Sequence, residues 1–344
     1  MKLLICDDSV VYRSAIKKAL EESGKFTEFY LAKNGKEAVE IFKDNDVDCM
    51  TLDVEMPVMN GIETLKAIRD LDKDVPIVMF SAVTEKGAEK TLDALRFGAN
   101  DFVRKIESSC DVSKNYEVIR NELIPKFESI LNKKSSQKIN EFETKITDLS
   151  SFSPDLLLMT SSTGGPDALM TILPKLDLKG RSLLLVQHMP PVFTTQLARR
   201  LDELCDFKVV EAQDKMEVTP DTCFLAPGDF HMTVKSMDNK LFIALNQEER
   251  VCFVRPAADV LFNSVRELPR HFKLICTVLT GMGYDGANGV KGLKESSSHE
   301  VKVLIQDQKS STVWGMPGEV YRNGHADVVG DLNNLAKIFN SFKK

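Results

Sequence analysis

Residues 154–174, PDLLLMTSSTGGPDALMTILP, join an apolar run to a hydroxyl-rich turn and a helix start. Leu156–Met159 reads as a buried strand, Thr160 to Thr163 are four small hydroxyl residues, and Gly164 and Gly165 follow. Pro166 and Asp167 then open an apolar-periodic helix, where proline fits because its missing N–H would go unused. A helix start presents free N–H groups and a positive dipole end. A serine there has its hydroxyl beside donors suited to an oxyanion. An ordinary βα turn rich in small residues explains this stretch equally well when it is taken alone.

A hydroxyl becomes a nucleophile when a base takes its proton, and the base needs a carboxylate to fix its tautomer. His188 ends the apolar run SLLLVQH, and Asp285 follows KLICTVLT within GMGYDGANG. Ser162, His188 and Asp285 thus stand at three strand ends, which a parallel sheet places along one rim. Their chain order is Ser…His…Asp, unlike the Ser…Asp…His of α/β-hydrolases, and TSSTGG is not a G-x-S-x-G elbow. Two plainer readings compete: a polar loop histidine, and Asp285 as a helix N-cap. A third reading is more specific. Gly281, Gly283 and Gly286 spell G-x-G-x-x-G between a strand and a helix, and Asp307 follows about 20 residues later, as in a dinucleotide-binding fingerprint.

A second group lies near the N-terminus. Asp7 and Asp8 follow the first apolar run, Asp53 the third and Ser81 the fourth, while Lys105 lies just beyond the fifth. Clustered carboxylates repel one another unless they share a cation, and a hard ion such as Mg²⁺ suits oxygen ligands. The lysine and the hydroxyl could hold phosphoryl oxygens, which makes Asp53 a candidate phosphoryl acceptor.

The elements that must position these residues alternate strand and helix through residues 1–105, and again from 154 onward. Short apolar strands between amphipathic helices predict a parallel sheet covered on both faces in each half. HMTVKS and LFIAL, joined by MDNK, predict an antiparallel hairpin in the second half. VIRNELIPKFESILNKK reads as a helix with Pro125 at a kink or boundary. KKSSQKINEFETKITDLSSFS reads as a linker, and its basic stretch Lys133–Lys138 could contact a partner, although such short runs are more often simply solvated. The expected domains are residues 1–131 and 154–344, with a linker at 132–153.

A chain of 344 residues fits two domains. Its net charge of −6 gives no general pull toward nucleic acid or an anionic membrane. No apolar run approaches the roughly 20 residues of a membrane span. Seven cysteines without a CxxC fit reduced thiols in a cytoplasmic protein, and zinc is not expected.

The motifs CDDS, LDVEMPVMNG, Ser81–Ala82 and DFVRK resemble the receiver domain of two-component response regulators, over about the first third of the chain. That resemblance implies a flavodoxin-like five-stranded sheet, Mg²⁺ held by Asp7, Asp8 and Asp53, and phosphorylation of Asp53 by a chemotaxis histidine kinase. It further implies phosphate contacts from Ser81 and Lys105, with Phe102 as the switch aromatic. Ile106 departs from the proline usual in receivers. Further on, STGGPDAL, QHMPP, LAPGDFHM, RPAADVLF, TGMGYDGA and VWGMPG together resemble the catalytic domain of chemotaxis protein-glutamate methylesterases, the CheB family. This implies a doubly wound α/β domain that hydrolyses γ-methyl esters on chemoreceptor helices, and often deamidates receptor glutamines. Ser162 would be nucleophile, His188 general base and Asp285 its orienting carboxylate. Met282 would supply an oxyanion N–H, with Thr163 and Gly283 lining the site. No cofactor is implied for the esterase, and the chain is expected to be monomeric and activated by phosphorylation. Thr160 and Val254 depart from the family's usual Gly and His. The rival function is a phosphorylation-regulated dinucleotide-binding module without acyl chemistry.

Overall fold

A computed structural model of the chain describes residues 1–105, 116–136 and 148–343. The chain divides into two compact units, Met1–Lys138 and Ile139–Lys344. Ile106 and residues 137–147 of the expected linker lie outside the described residues, as do the side chains of the Lys133–Lys138 run.

The first unit holds five parallel strands: β1 (Lys2–Cys6), β2 (Glu28–Ala32), β3 (Cys49–Asp53), β4 (Ile77–Ala82) and β5 (Asp101–Lys105). Their order is β2-β1-β3-β4-β5, the flavodoxin-like arrangement. Every residue of the central β3 is buried, as befits a strand covered on both faces. The crossover helices start where small polar side chains cap free N–H groups: Ser9 accepts from Tyr12 N, and Thr84 from Gly87 N. Asn60 and Glu63 form a reciprocal capping box. The last helix carries a π-turn at Ile119–Leu123 just before Pro125, whose missing N–H accounts for the irregularity. It continues as Ile124–Ser136, past the expected domain end at residue 131.

The second unit contains a seven-stranded sheet, all of whose pairings are parallel. Its strands are β6 (Leu156–Ser161), β7 (Ser182–Gln187), β8 (Lys208–Glu211), β9 (Thr222–Leu225), β12 (Lys273–Val278), β13 (Glu300–Gln306) and β14 (Val328–Gly330). The order β14-β13-β12-β6-β7-β9-β8 shows the chain starting at β6, building outward to one side, then returning to build from β12 on the other. A doubly wound sheet opens a crevice at such a reversal, at the carboxyl ends of its strands. The predicted hairpin is β10 (His231–Met237) paired with β11 (Lys240–Asn246). It is tied to the helix Ala258–Arg266 by a 3.0 Å bond from Val234 N to Ser264 Oγ, and Met232, Val234, Leu261, Phe262 and Val265 share one core.

Among the described residues, the hydroxyls of Thr51, Thr160 and Thr277 are buried without a hydrogen-bond partner. Thr277 lies within β12, paired with Met159 and Leu304 and away from the strand end. Burying an unpaired hydroxyl is unfavourable by about 1–3 kcal/mol. Thr277→Val keeps the branched shape while removing it. Thermal unfolding of this variant should shift upward, by about 2–4 °C for each kcal/mol recovered. An unchanged or lower transition would show that the hydroxyl is satisfied.

Candidate active site

The site of the second unit is assembled from the carboxyl ends of β6, β7 and β12, three adjacent strands. Ser161 pairs with Gln187 in the sheet, so the next residues, Ser162 and His188, emerge side by side. The Ser162 backbone is fixed on both sides. Its N–H donates to Thr280 O at 2.9 Å, and its carbonyl accepts from Gly165 N at 2.7 Å and Gln187 Nε2 at 3.0 Å. The two neighbouring serines differ in surroundings, as alternation along a strand requires. Ser161 is fully buried and its Oγ donates to Gln187 Oε1 at 2.6 Å. Ser162 is partly exposed, and its Oγ has no partner among the described residues.

Two glycines make room for this turn. Gly164 has φ +75°, and a Cβ there would lie 2.3 Å from Thr312 Oγ1. At Gly281 a Cβ would lie 2.3 Å from Met316 Sδ and 2.9 Å from Ser162 Cβ. The first glycine of the fingerprint therefore admits the serine turn and Met316 against the backbone. Asp307, the acidic residue of that pattern, has Oδ1 occupied by Ser310 N and Ser310 Oγ at 2.8 and 2.7 Å.

His188 Nε2 lies 2.7 Å from Asp285 Oδ2, with the His188 and Asp285 side chains 8% and 2% exposed. Asp285 also accepts at Oδ2 from Ala258 N, 2.6 Å, and at Oδ1 from Asp259 N, 3.0 Å, at the start of the helix Ala258–Arg266. Burial pushes its carboxyl up, but the His188 bond and charge and these two N–H groups hold it below the ordinary carboxylate value. Ser162 and His188 stand at adjacent strand ends without a hydrogen bond between their side chains. Met282 is exposed, and its N–H has no acceptor among the described residues. Thr163 is buried and its carbonyl accepts from Thr280 Oγ1 at 2.8 Å, while Gly283 lies exposed between Met282 and Tyr284. Thr160 is fully buried, with its methyl 3.4 Å from the Cβ position of Gly286.

Reading from residue types passed over three members of this site. Gln187 bridges Ser161 and Ser162, Thr280 ties the Thr163 turn to Val313, and Asp259 faces the Asp285 turn. The only signals were a glutamine before the histidine, a threonine before the glycine-rich turn, and an acid in a helix's first turn.

In the first unit, Asp7, Asp8 and Asp53 offer oxygens within 4.8 Å of one another. Lys105 Nζ lies 2.8 Å from both Asp7 Oδ2 and Asp53 Oδ2. Apart from that ion pair, Asp7 Oδ2 is buried without a hydrogen bond. Burial pushes Asp53 up to about 6 despite Lys105, and the Asp7 charge adds to this. An all-oxygen, charge-excessive set of this kind fits a hard divalent cation. Phe102 is buried, with Lys126 Nζ 5.6 Å from its ring centre. Ser81 stands at the expected strand end, but its fully buried hydroxyl donates to Gly87 O at 3.1 Å.

Comparison with known proteins decides the family. The pattern of the CheB methylesterase family matches residues 157–339, and that of the response regulator receiver domain matches residues 3–115. A protein-glutamate methylesterase/protein-glutamine glutaminase of Trichodesmium erythraeum is 39% identical over 98% of this chain and 97% of its own length. The chain belongs to the CheB methylesterase family. A like-named protein of Thermotoga maritima is 36% identical, covering 96% of this chain and 94% of its own. The crystal structure of the Thermotoga maritima CheB methylesterase catalytic domain is similar with a TM-score of 0.51. It covers 54% of this chain and 98% of that one, at 36% identity. The CheB family and the receiver match agree with the two sheets described above.

The folded-state depression of Asp285 has a consequence for stability. Such a carboxylate stabilises the fold above its unfolded value and stops doing so as the pH falls through its folded value. Asp285→Asn should therefore lower stability by about 1–3 kcal/mol at neutral pH, since a charged acceptor is lost from two backbone donors. The difference should shrink as the pH falls below 3.8. Denaturant unfolding of both proteins at neutral and acid pH checks this; a difference that does not change with pH would contradict it.

Proposed function

We propose that this CheB-family chain hydrolyses γ-glutamyl methyl esters on chemoreceptor helices, through Ser162, His188 and Asp285, under control of phosphorylation at Asp53. The observation that carries the esterase reading is the buried His188–Asp285 pair beside a serine hydroxyl with no other partner. Asp285 takes the Nε2 side of the imidazole, which leaves Nδ1 as the nitrogen to accept the Ser162 proton. Apo geometry of this kind is often looser than in the substrate complex.

Ser162 Oγ bonds to the ester carbonyl carbon as its proton passes to His188 Nδ1, and the buried carboxylate of Asp285 stabilises the resulting imidazolium. The Met282 N–H is the proposed donor to the oxyanion, with Thr163 and Gly283 lining the same turn. Collapse breaks the C–O bond to the methoxy group, which leaves as methanol with the proton from His188. Water then gives a proton to His188 and attacks the acyl carbon, releasing glutamate and restoring Ser162. A glutamine side chain would follow the same course with ammonia leaving, as the names of the relatives suggest. No step needs a cofactor. The filled space at Gly281 and the occupied carboxylate of Asp307 favour this reading over dinucleotide binding.

In the first unit Asp7, Asp8 and Asp53 would hold Mg²⁺, which when bound neutralises charge around an incoming phosphoryl group. Asp53 is the proposed acceptor, from a chemotaxis histidine kinase or a small phosphodonor. Lys105 would turn from its two carboxylates to the phosphoryl oxygens, and Ser81 would leave Gly87 O to reach them, with Phe102 following the change. Among the described residues no helix is long and apolar enough to cross a membrane. We take the chain to act in the cytoplasm as a monomer.

Methanol release from methylated receptor membranes tests the chemistry. Ser162→Ala and His188→Gln should each lower it by several orders of magnitude without unfolding the protein. Ser161→Ala should matter far less, because its hydroxyl is committed to Gln187. Loss of activity in Ser161→Ala with Ser162→Ala still active would shift the nucleophile by one residue.

Control is tested separately. With Mg²⁺ and a small phosphodonor, radiolabel should enter the wild type and raise its methanol release. Asp53→Asn should take up no label and show no activation. Label persisting in Asp53→Asn would place the phosphoryl group elsewhere.

A further inference from the structure

Two buried acids hold each other's backbone. Asp285 accepts from Ala258 N and Asp259 N, the first residues of one helix. Asp259, only 4% exposed, accepts at Oδ1 from Gly286 N at 3.0 Å and Gly289 N at 2.6 Å, at the start of the helix Ala287–Glu295. Each carboxylate thus caps the helix beside the other acid, and the two acids offer oxygens within 4.8 Å of each other. A cap alone needs one oxygen and no charge. Here both N–H donors converge on Oδ1, while Oδ2 faces Cys252 Sγ at 3.9 Å.

We propose that Asp259 is a positioning residue of the hydrolytic site, fixing the turn that carries Asp285 and placing a second buried negative charge behind the His188 imidazole. The proposal rests on the Ser162–His188 mechanism and adds a residue that acts through Asp285. When Ser162 loses its proton, positive charge forms on His188. A carboxylate close behind its partner acid, shielded from water, stabilises that charge. The groups facing Asp259 are Asp285 with His188 beyond it, the Cys252 thiol, itself in contact with Tyr284, and the Asn288 amide. Burial first, then the Asp285 charge, push Asp259 up to about 6, so its own charge is complete only above neutrality.

This arrangement has a distinct pH signature. Below about 6 Asp259 is itself mostly protonated, so replacing it with a neutral amide leaves the rate unchanged. At higher pH Asp259 is charged, and the positive charge formed on His188 in the transition state gains from it. Losing the charge should therefore be harmless at acid pH and harmful at alkaline pH. A purely structural defect lowers the rate by one factor throughout.

The test uses the full-length protein and a fluorophosphonate, which Ser162 attacks with formation of an O–P bond and loss of fluoride, its proton passing to His188. No receptor is needed, so an error in the proposed substrate does not affect the outcome. Asp259→Asn keeps Oδ1 as acceptor for both N–H groups and removes only the charge. The ratio of wild-type to variant labelling rates should climb from about 1 near pH 5 to about 10 near pH 8. Asn288→Ala guards against a folding failure, since its site is exposed and helical and alanine is a good helix former. By removing a donor to the Asp259 carboxylate, it should slow labelling only in a window just above pH 6, with full recovery at alkaline pH. A ratio that stays constant with pH, in either variant, overturns the proposal. Absence of label on wild-type Ser162 at every pH overturns the serine mechanism itself.

Discussion

A carboxylate sealed from water keeps its charge only while enough hydrogen-bond donors face it. Asp285 is 2% exposed and meets that condition with three groups: the His188 imidazole and the N–H groups of Ala258 and Asp259. The last two are available because a helix start leaves its first N–H groups without internal partners. Much of the second unit serves to bring that helix start to the end of β12. The hairpin β10–β11 packs on the helix, Ser264 ties the two together, and the Asp285 turn closes over its first residues. Remove the helix start and the imidazole would face an acid more stable protonated than charged.

The proposed nucleophile depends on the opposite condition, a hydroxyl deprived of partners. Four hydroxyl residues run from Thr160 to Thr163, and the structure treats them differently. Ser161 is committed to Gln187, Thr163 is buried in the turn, and Thr160 is enclosed between strands with its hydroxyl unpaired. Ser162 alone combines partial exposure with an Oγ that nothing else holds. Its main chain has no such freedom, since both its N–H and its carbonyl are bonded. A fixed backbone carrying a free hydroxyl would present a nucleophile without freezing it in an unproductive bond.

Strands, their parallel pairing and the strand ends bearing chemistry were legible because each is a local property of sequence: an apolar run, a helix signal, a change of residue type at the boundary. Ser162, His188 and Asp285 could be named as one group before any coordinates, since a parallel sheet leaves a single edge for such ends. What no local pattern encodes is how side chains choose among partners. The imidazole meets Asp285 through Nε2, Ser81 donates to Gly87, and Gln187 spans two serines; each depends on distances across the sheet. Asp259 was hidden for another reason. An acid in a helix's first turn is common enough to need no explanation, and only the approach of a turn 27 residues further on gives it a second role. The glycine fingerprint misled in a similar way, because the spacing that lets a backbone approach pyrophosphate also admits Met316 and the Ser162 turn.

The two units meet the problem of buried acids differently, and the difference bears on their roles. Around Asp285, donors match the charge, and the carboxyl sits below its ordinary value. Around Asp53, Asp7 and Asp53 share one lysine with Asp8 beside them, and burial outweighs the lysine so that Asp53 rises to about 6. A carboxylate with its donors matched has little to gain from further ligands. An unbalanced one stands to gain from a cation, and in the proposed phosphorylation Lys105 and Ser81 would change the atoms they contact. Sensitivity to a ligand follows from the imbalance, since a site responds only as far as its states differ in affinity. The same parallel-sheet edge thus carries the proposed reaction centre in one unit and the proposed charge-sensitive pocket in the other, according to how many donors face the acids there.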